Sequence, residues 1–103
     1  MIRLIITADD KLYEQLARRA KDEGDVAQRA TDVLDGFKQA MTRPADMIVV
    51  DMSLHAADTL LETLHSRQET ASLPLLAVTT DDNEQLPFEL RRLCAAVLEV
   101  SEL

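Results

Sequence analysis

The chain has 103 residues, 47% of them hydrophobic, with Tyr13, Phe37 and Phe88 as its only aromatics, so it is one domain whose modest core is packed by aliphatic side chains. A formal charge of -8 excludes direct binding to nucleic acid or an anionic lipid surface, both of which require clustered Lys and Arg. The single cysteine, Cys94, excludes an internal disulfide and fits a reducing compartment; MIRLIIT is too short for a signal peptide, and no run approaches the ~20 apolar residues of a membrane span, so the expected location is the cytoplasm.

Leu4 to Thr7 reads as a short strand, and Ala8-Asp9-Asp10 ends it with two acids able to cap a helix. Leu12, Leu16 and Ala20 recur at helical spacing until Gly24. Asp25 to Ala30 reads as an edge strand, and Thr31 or Asp32 caps a second helix with Val33, Phe37, Ala40 and Met41 on one face, ended by Arg43-Pro44. Met47 to Val50 is an apolar run without alternation, the pattern of a strand buried on both faces, and it stops at Asp51. Ala57, Leu61 and Leu64 mark a third helix that fades into RQET. Pro74 opens a second continuous apolar run, LLAV, followed by Thr79-Thr80 and Asp81-Asp82-Asn83. Pro87 suits the first turn of a short fourth helix with Leu90 and Leu93, and Ala95 to Val100 is a fifth strand.

Strand and helix alternate from end to end, which predicts an α/β fold with a doubly wound, five-stranded parallel sheet. The order stops one helix short. A final helix is missing from the pattern, so either a partner, a second copy included, covers the last-helix and last-strand face, or residues 1–103 are a single domain cut from a longer regulatory protein.

Asp9 with Asp10, Asp51, and Thr79 with Thr80 all fall at carboxyl ends of strands, where open α/β sheets bind ligands. Carboxylates gathered there repel unless one takes up a proton or a cation joins them. Mg²⁺ is the cation that suits such a site, because it accepts one or two carboxylates completed by water and phosphate. Asp9, Asp10 and Asp51 are therefore candidate Mg²⁺ ligands, with helix capping as the other reading of the first two. Asp51 is a candidate nucleophile for phosphoryl transfer, against the plainer reading of a solvated acid. A metal set of His55 and His65 with Asp58 and Glu62 has no cluster to complete it. Cys94 reads as a small packed residue, and Tyr13 as core edge.

Here LIITADD, PADMIVVD and LPLLAVTT together resemble the receiver domain of bacterial response regulators, with CheY-like, flavodoxin-like strand order, over the whole chain. The resemblance implies that Asp51 is the phosphoacceptor, that Asp58 matches an acid that often follows it, and that Thr79 is the switch hydroxyl. It also implies a partner in signalling: a histidine kinase, an output domain or another regulator. Several positions depart from the family pattern. In the best register Ala8 falls on the first acid of the pair and Asp9 on the second, leaving Asp10 one place late; a shift by one residue restores both. The family's proline and glycine after the phosphoacceptor are His55 and Thr59. Leu98 occupies the aromatic switch position. Where the family carries a lysine after the fifth strand, this chain reads Val100-Ser101-Glu102, and no lysine follows Lys38.

The sequence thus points to a degenerate receiver, a pseudo-receiver of two-component signalling that is not itself an enzyme and acts through protein contacts, with phosphotransfer weakened or lost. The runner-up is a working receiver, phosphorylated on Asp51 with Mg²⁺, that switches an output domain. A small metal-dependent phosphohydrolase is the third, and it lacks a further acid, base or lysine to release phosphate.

Overall fold

Two apolar triplets form the centre of the molecule. In a computed structural model, which describes residues 1–79 and 86–102, Leu4-Ile5-Ile6 and Ile48-Val49-Val50 are all at most 3% exposed and lie side by side in one parallel sheet. The elements are β1 (Ile2–Ile6), α1 (Asp10–Asp22), β2 (Val26–Ala30), α2 (Val33–Thr42), β3 (Met47–Asp51), α3 (Ala57–Ser66), β4 (Leu75–Thr79), α4 (Phe88–Arg91) and β5 (Ala96–Glu99), followed by a 3-10 turn at Val100–Glu102. The sheet order is β2-β1-β3-β4-β5, with every pair parallel. This is the expected doubly wound architecture, and β2 is the expected edge strand, with Val26 exposed on it.

Local chemistry sets the element boundaries. Asp9 caps α1 by accepting the backbone N–H groups of Lys11 and Leu12, and the chain leaves the helix through Gly24 at φ +83, a left-handed conformation that glycine adopts without steric cost. Asp32 caps α2 through the N–H of Asp35. Several bounds differ from the sequence reading. β1 begins at Ile2, because the charged Arg3 is accommodated within the strand by Asp25 and Glu23. It ends at Ile6, so Thr7 lies just beyond it. Pro87 stands at the cap of α4 rather than in its first turn, and Leu93 falls half-buried past the helix end.

The two faces of the sheet are covered unequally. On one, α2 and α3 enclose Leu4, Ile6, Ile48 and Val50 with Leu61 and Leu64, all at 0% exposure. Gly36 lets α2 approach closely there, since a Cβ at that position would lie 2.6 Å from Ile6 Cδ1. On the other face α1 packs Leu12 and Leu16 against Ile5, Val49 and Val78, beside a groove of about 180 Å³ bordered by Met47, Leu76 and Leu98. Among the described residues no helix is long and apolar enough to cross a membrane.

Candidate functional site at the carboxyl ends of β1 and β3

In a sheet of this order, the chain runs outward in opposite directions from the β1/β3 pair, and the crevice at their carboxyl ends is the ligand-binding position. β1 pairs Ile6 with Val50, so the next residue on each strand stands at that crevice: Thr7 and Asp51. Both are buried, at 0% and 2% exposure. Thr7 Oγ1 donates to Asp51 Oδ2 at 2.7 Å. Ser53, two residues past the strand, donates to Asp51 Oδ1 twice, from its backbone N–H at 2.9 Å and from its hydroxyl at 2.7 Å. A buried carboxylate stripped of such donors would carry a desolvation penalty of about 1–3 kcal/mol for each acceptor left unmade. Asp51 is therefore held by protein groups on both oxygens.

The acid pair falls later than the strand end. Asp9 and Asp10 are exposed, at the cap and in the first turn of α1, and the position beside Asp51 belongs to Thr7. Asp9 contacts the crevice through its backbone, which donates to Thr7 Oγ1 at 3.1 Å, while its Oδ1 serves the helix cap. Asp10 Oδ1 is paired with Arg29 Nη2 at 2.7 Å. Arg29 comes from the end of β2, lies over the Tyr13 ring at 4.8 Å and approaches the Thr7 carbonyl at 3.4 Å. Its Nε is buried without an acceptor among the described residues. Tyr13 thus packs a guanidinium as well as the core edge. Among the described residues no three His, Cys, Asp or Glu side chains gather as a metal-holding group.

Thr79 sits at the end of β4, 4% exposed, and its hydroxyl donates across to the Leu98 carbonyl of β5 at 3.4 Å. It shares the carboxyl edge with Asp51, whose ladder partner is its neighbour Val78. Thr80 and Asp81-Asp82-Asn83 lie outside the described residues. The loop after Asp51 enters α3 through Ala56 at φ +63, and α3 has no side-chain cap. His55 and Asp58 are both exposed on this loop and first turn. Cys94 Sγ contacts the Leu90 carbonyl at 3.5 Å, and burial pushes its thiol above the ordinary value, as suits a packed residue rather than a nucleophile.

Thr7, Ser53 and Arg29 carry most of the contacts here and were not singled out by the sequence reading. One signal was available for Thr7: laying Leu4-Ile5-Ile6 against Ile48-Val49-Val50 end to end puts Thr7 opposite Asp51. For Arg29 there was none, since a basic residue on an edge strand is ordinarily a solubility feature.

No family model matches the chain, and no curated protein does. Solved structures do. A sensor protein from Polaromonas sp. JS666 superposes with a TM-score of 0.86 at 21% identity, over 97% of this chain and 83% of that one. A response regulator receiver domain (CheY-like) from Methylobacillus flagellatus gives 0.85 at 20% identity, over 97% and 86%. The chemotaxis response regulator CheY4 of Vibrio cholerae gives 0.80 at 14% identity, over 96% and 85%. The chain has the fold of response-regulator receiver domains.

Proposed function

We propose that the chain is a degenerate receiver module of two-component signalling, which works through protein contacts with phosphotransfer weakened or lost. One observation carries the reading: both oxygens of Asp51, the residue at the phosphoacceptor position, already accept from Thr7 and Ser53. These donors draw on the lone pairs from which a carboxylate oxygen would attack, which weakens it as a nucleophile. The sequence adds a second deficit, because Ser101 stands where a lysine would supply a point charge to the phosphoryl group, a charge-assisted contact worth about 1.5–3 kcal/mol.

A receiver is a two-state element, and a module whose acid and hydroxyl are satisfied from within is biased toward one of those states. The Thr79 hydroxyl is engaged with β5. A partner, whether a kinase, an output domain or another regulator, then reads a surface that phosphoryl chemistry does not alter. The α4–β5 side suits that role, with Phe88 at 75% exposure on α4. The second reading, a receiver phosphorylated on Asp51, is favoured by the place of Asp51 at the β1/β3 crevice.

The test is an amide spectrum recorded with Mg²⁺ before and after a beryllofluoride phosphoryl mimic or a small phosphodonor, with Asp51→Ala as control. The expected result is an unchanged spectrum around Asp51 and Thr79. Shifts spreading from both residues, and absent in the control, would establish the second reading instead.

A further inference from the structure

Three acids at one edge suggest a cation site, yet each carboxylate has a protein partner that makes its own geometric demand. Mg²⁺ requires near-octahedral oxygen ligands at short distance and gives up its water reluctantly. Asp51 is occupied on both oxygens by neutral donors, Asp9 Oδ1 holds two backbone N–H groups of α1, and Asp10 Oδ1 faces a guanidinium. The donor set does not fit the ion. What joins these groups instead is Thr7. Its hydroxyl donates to Asp51 and accepts from the Asp9 backbone, while its carbonyl faces Arg29, whose guanidinium is steadied by the Tyr13 ring.

We propose that this pocket works without a divalent cation, and that Thr7 and Arg29 together take the cation's place, the hydroxyl serving Asp51 and the guanidinium serving Asp10. The inference rests on the reading of the crevice as a receiver pocket and specifies how its acids are held without a metal. Thr7 is a positioning residue in it. A side chain that neither dissociates nor exchanges makes the conformation at Asp51 independent of metal, so chelator and Mg²⁺ leave the domain in the same state. It also means that a single substitution at Thr7 changes the ion chemistry of the edge, because a carboxylate there would stand directly beside Asp51.

The experiment is a Mn²⁺ titration of the whole chain, without phosphodonor, followed by paramagnetic broadening of backbone amides, with Mg²⁺ as competitor. The native chain is expected to show no saturable broadening at residues 7–10 and 51–53. Thr7→Asp is expected to gain it, with affinity raised by about tenfold or more, as for an added charged oxygen ligand. Arg29→Gln, which releases Asp10 while leaving the buried core untouched, is expected to gain a smaller response centred on Asp10. Saturable, Mg²⁺-competed broadening around Asp51 in the native chain overturns the proposal. So does a folded Thr7→Asp or Arg29→Gln variant that binds no better than the native chain. Mn²⁺ binding without phosphoryl uptake would end this proposal and leave the contact-module reading standing. Phosphoryl uptake by a chain that ignores Mn²⁺ would do the reverse.

Discussion

The two ends of the sheet handle charge in opposite ways. At the amino end, Arg3 bonds to Asp25 at 2.6 Å and also to Glu23, and the Ile2 N–H donates to Asp46 Oδ2 at 2.7 Å. Opposite charges meet there, with Glu23 exposed to solvent and Arg3 and Asp25 largely covered. At the carboxyl end the buried Asp51 meets hydroxyls and a backbone N–H. The Arg29 guanidinium at that end is paired with the exposed Asp10. The amino end is thus a clamp between opposite charges. At the carboxyl end water is largely excluded from Asp51, so each neutral donor carries more weight.

The largest effect expected from this contrast is at Thr7. Thr7→Val keeps the shape and removes the hydroxyl, leaving Asp51 Oδ2 and the Asp9 N–H without that partner. A loss of about 2 kcal/mol in urea unfolding is expected. A loss under half of that would mean that Asp51 finds water, and that its neutral donors carry no added weight. Asp9→Ala comes next. It frees the N–H groups of Lys11 and Leu12 at the start of α1, an N-cap loss of about 1 kcal/mol, and it leaves the side-chain donors to Asp51 in place. Measured together, the two variants separate the cap from the crevice.

The fold was legible because its decisive signals are local. The apolar runs Leu4–Ile6 and Met47–Val50 needed only continuity to be read as central strands, and Gly24, Asp32 and Pro44 punctuated the helices. The site was legible only in part. Asp51 and Thr79 could be placed by position at strand ends, and both lie at the carboxyl edge of the sheet. The reading of Asp9 and Asp10 at the end of β1 came from their order in the chain, with helix capping as its other half; the β1/β3 ladder stops at Ile6, so a threonine stands at the crevice and Asp9 caps α1. The Arg29 contacts join residues 19 and 22 positions apart in the chain, across β2 and α1, and no periodicity announces such a pair.

A smaller effect is expected at the amino end, present at neutral pH and fading in acid. The hydrogen bond from Arg3, more than any other influence, holds the Asp25 carboxyl below the ordinary aspartate value. A carboxyl with a depressed folded pKa stabilises the fold fully above its unfolded pKa, and the contribution fades as pH falls through the folded value. The native chain should therefore exceed Asp25→Asn in urea midpoint at neutral pH, with the difference shrinking below the ordinary aspartate range. A difference that stayed constant into acid would show that it does not arise from the Asp25 charge and its bond to Arg3.

The smallest effect is expected at Thr79, and it sets the contrast within the carboxyl end itself. Thr79 and Thr7 are both buried hydroxyls at strand ends, yet Thr7 reaches a carboxylate at 2.7 Å and Thr79 reaches a backbone carbonyl at 3.4 Å, the far edge of hydrogen-bonding distance. Thr79→Val should then cost about 0.5 kcal/mol or less in the same urea series, since a long neutral bond adds little beyond what a methyl packs. Equal losses at the two threonines would mean that Thr79 is tied into the Asp51 network through contacts tighter than the one to Leu98. The β4–β5 side would then be coupled to the acid, and a phosphoryl group arriving at Asp51 would have a route to the surface that a partner reads.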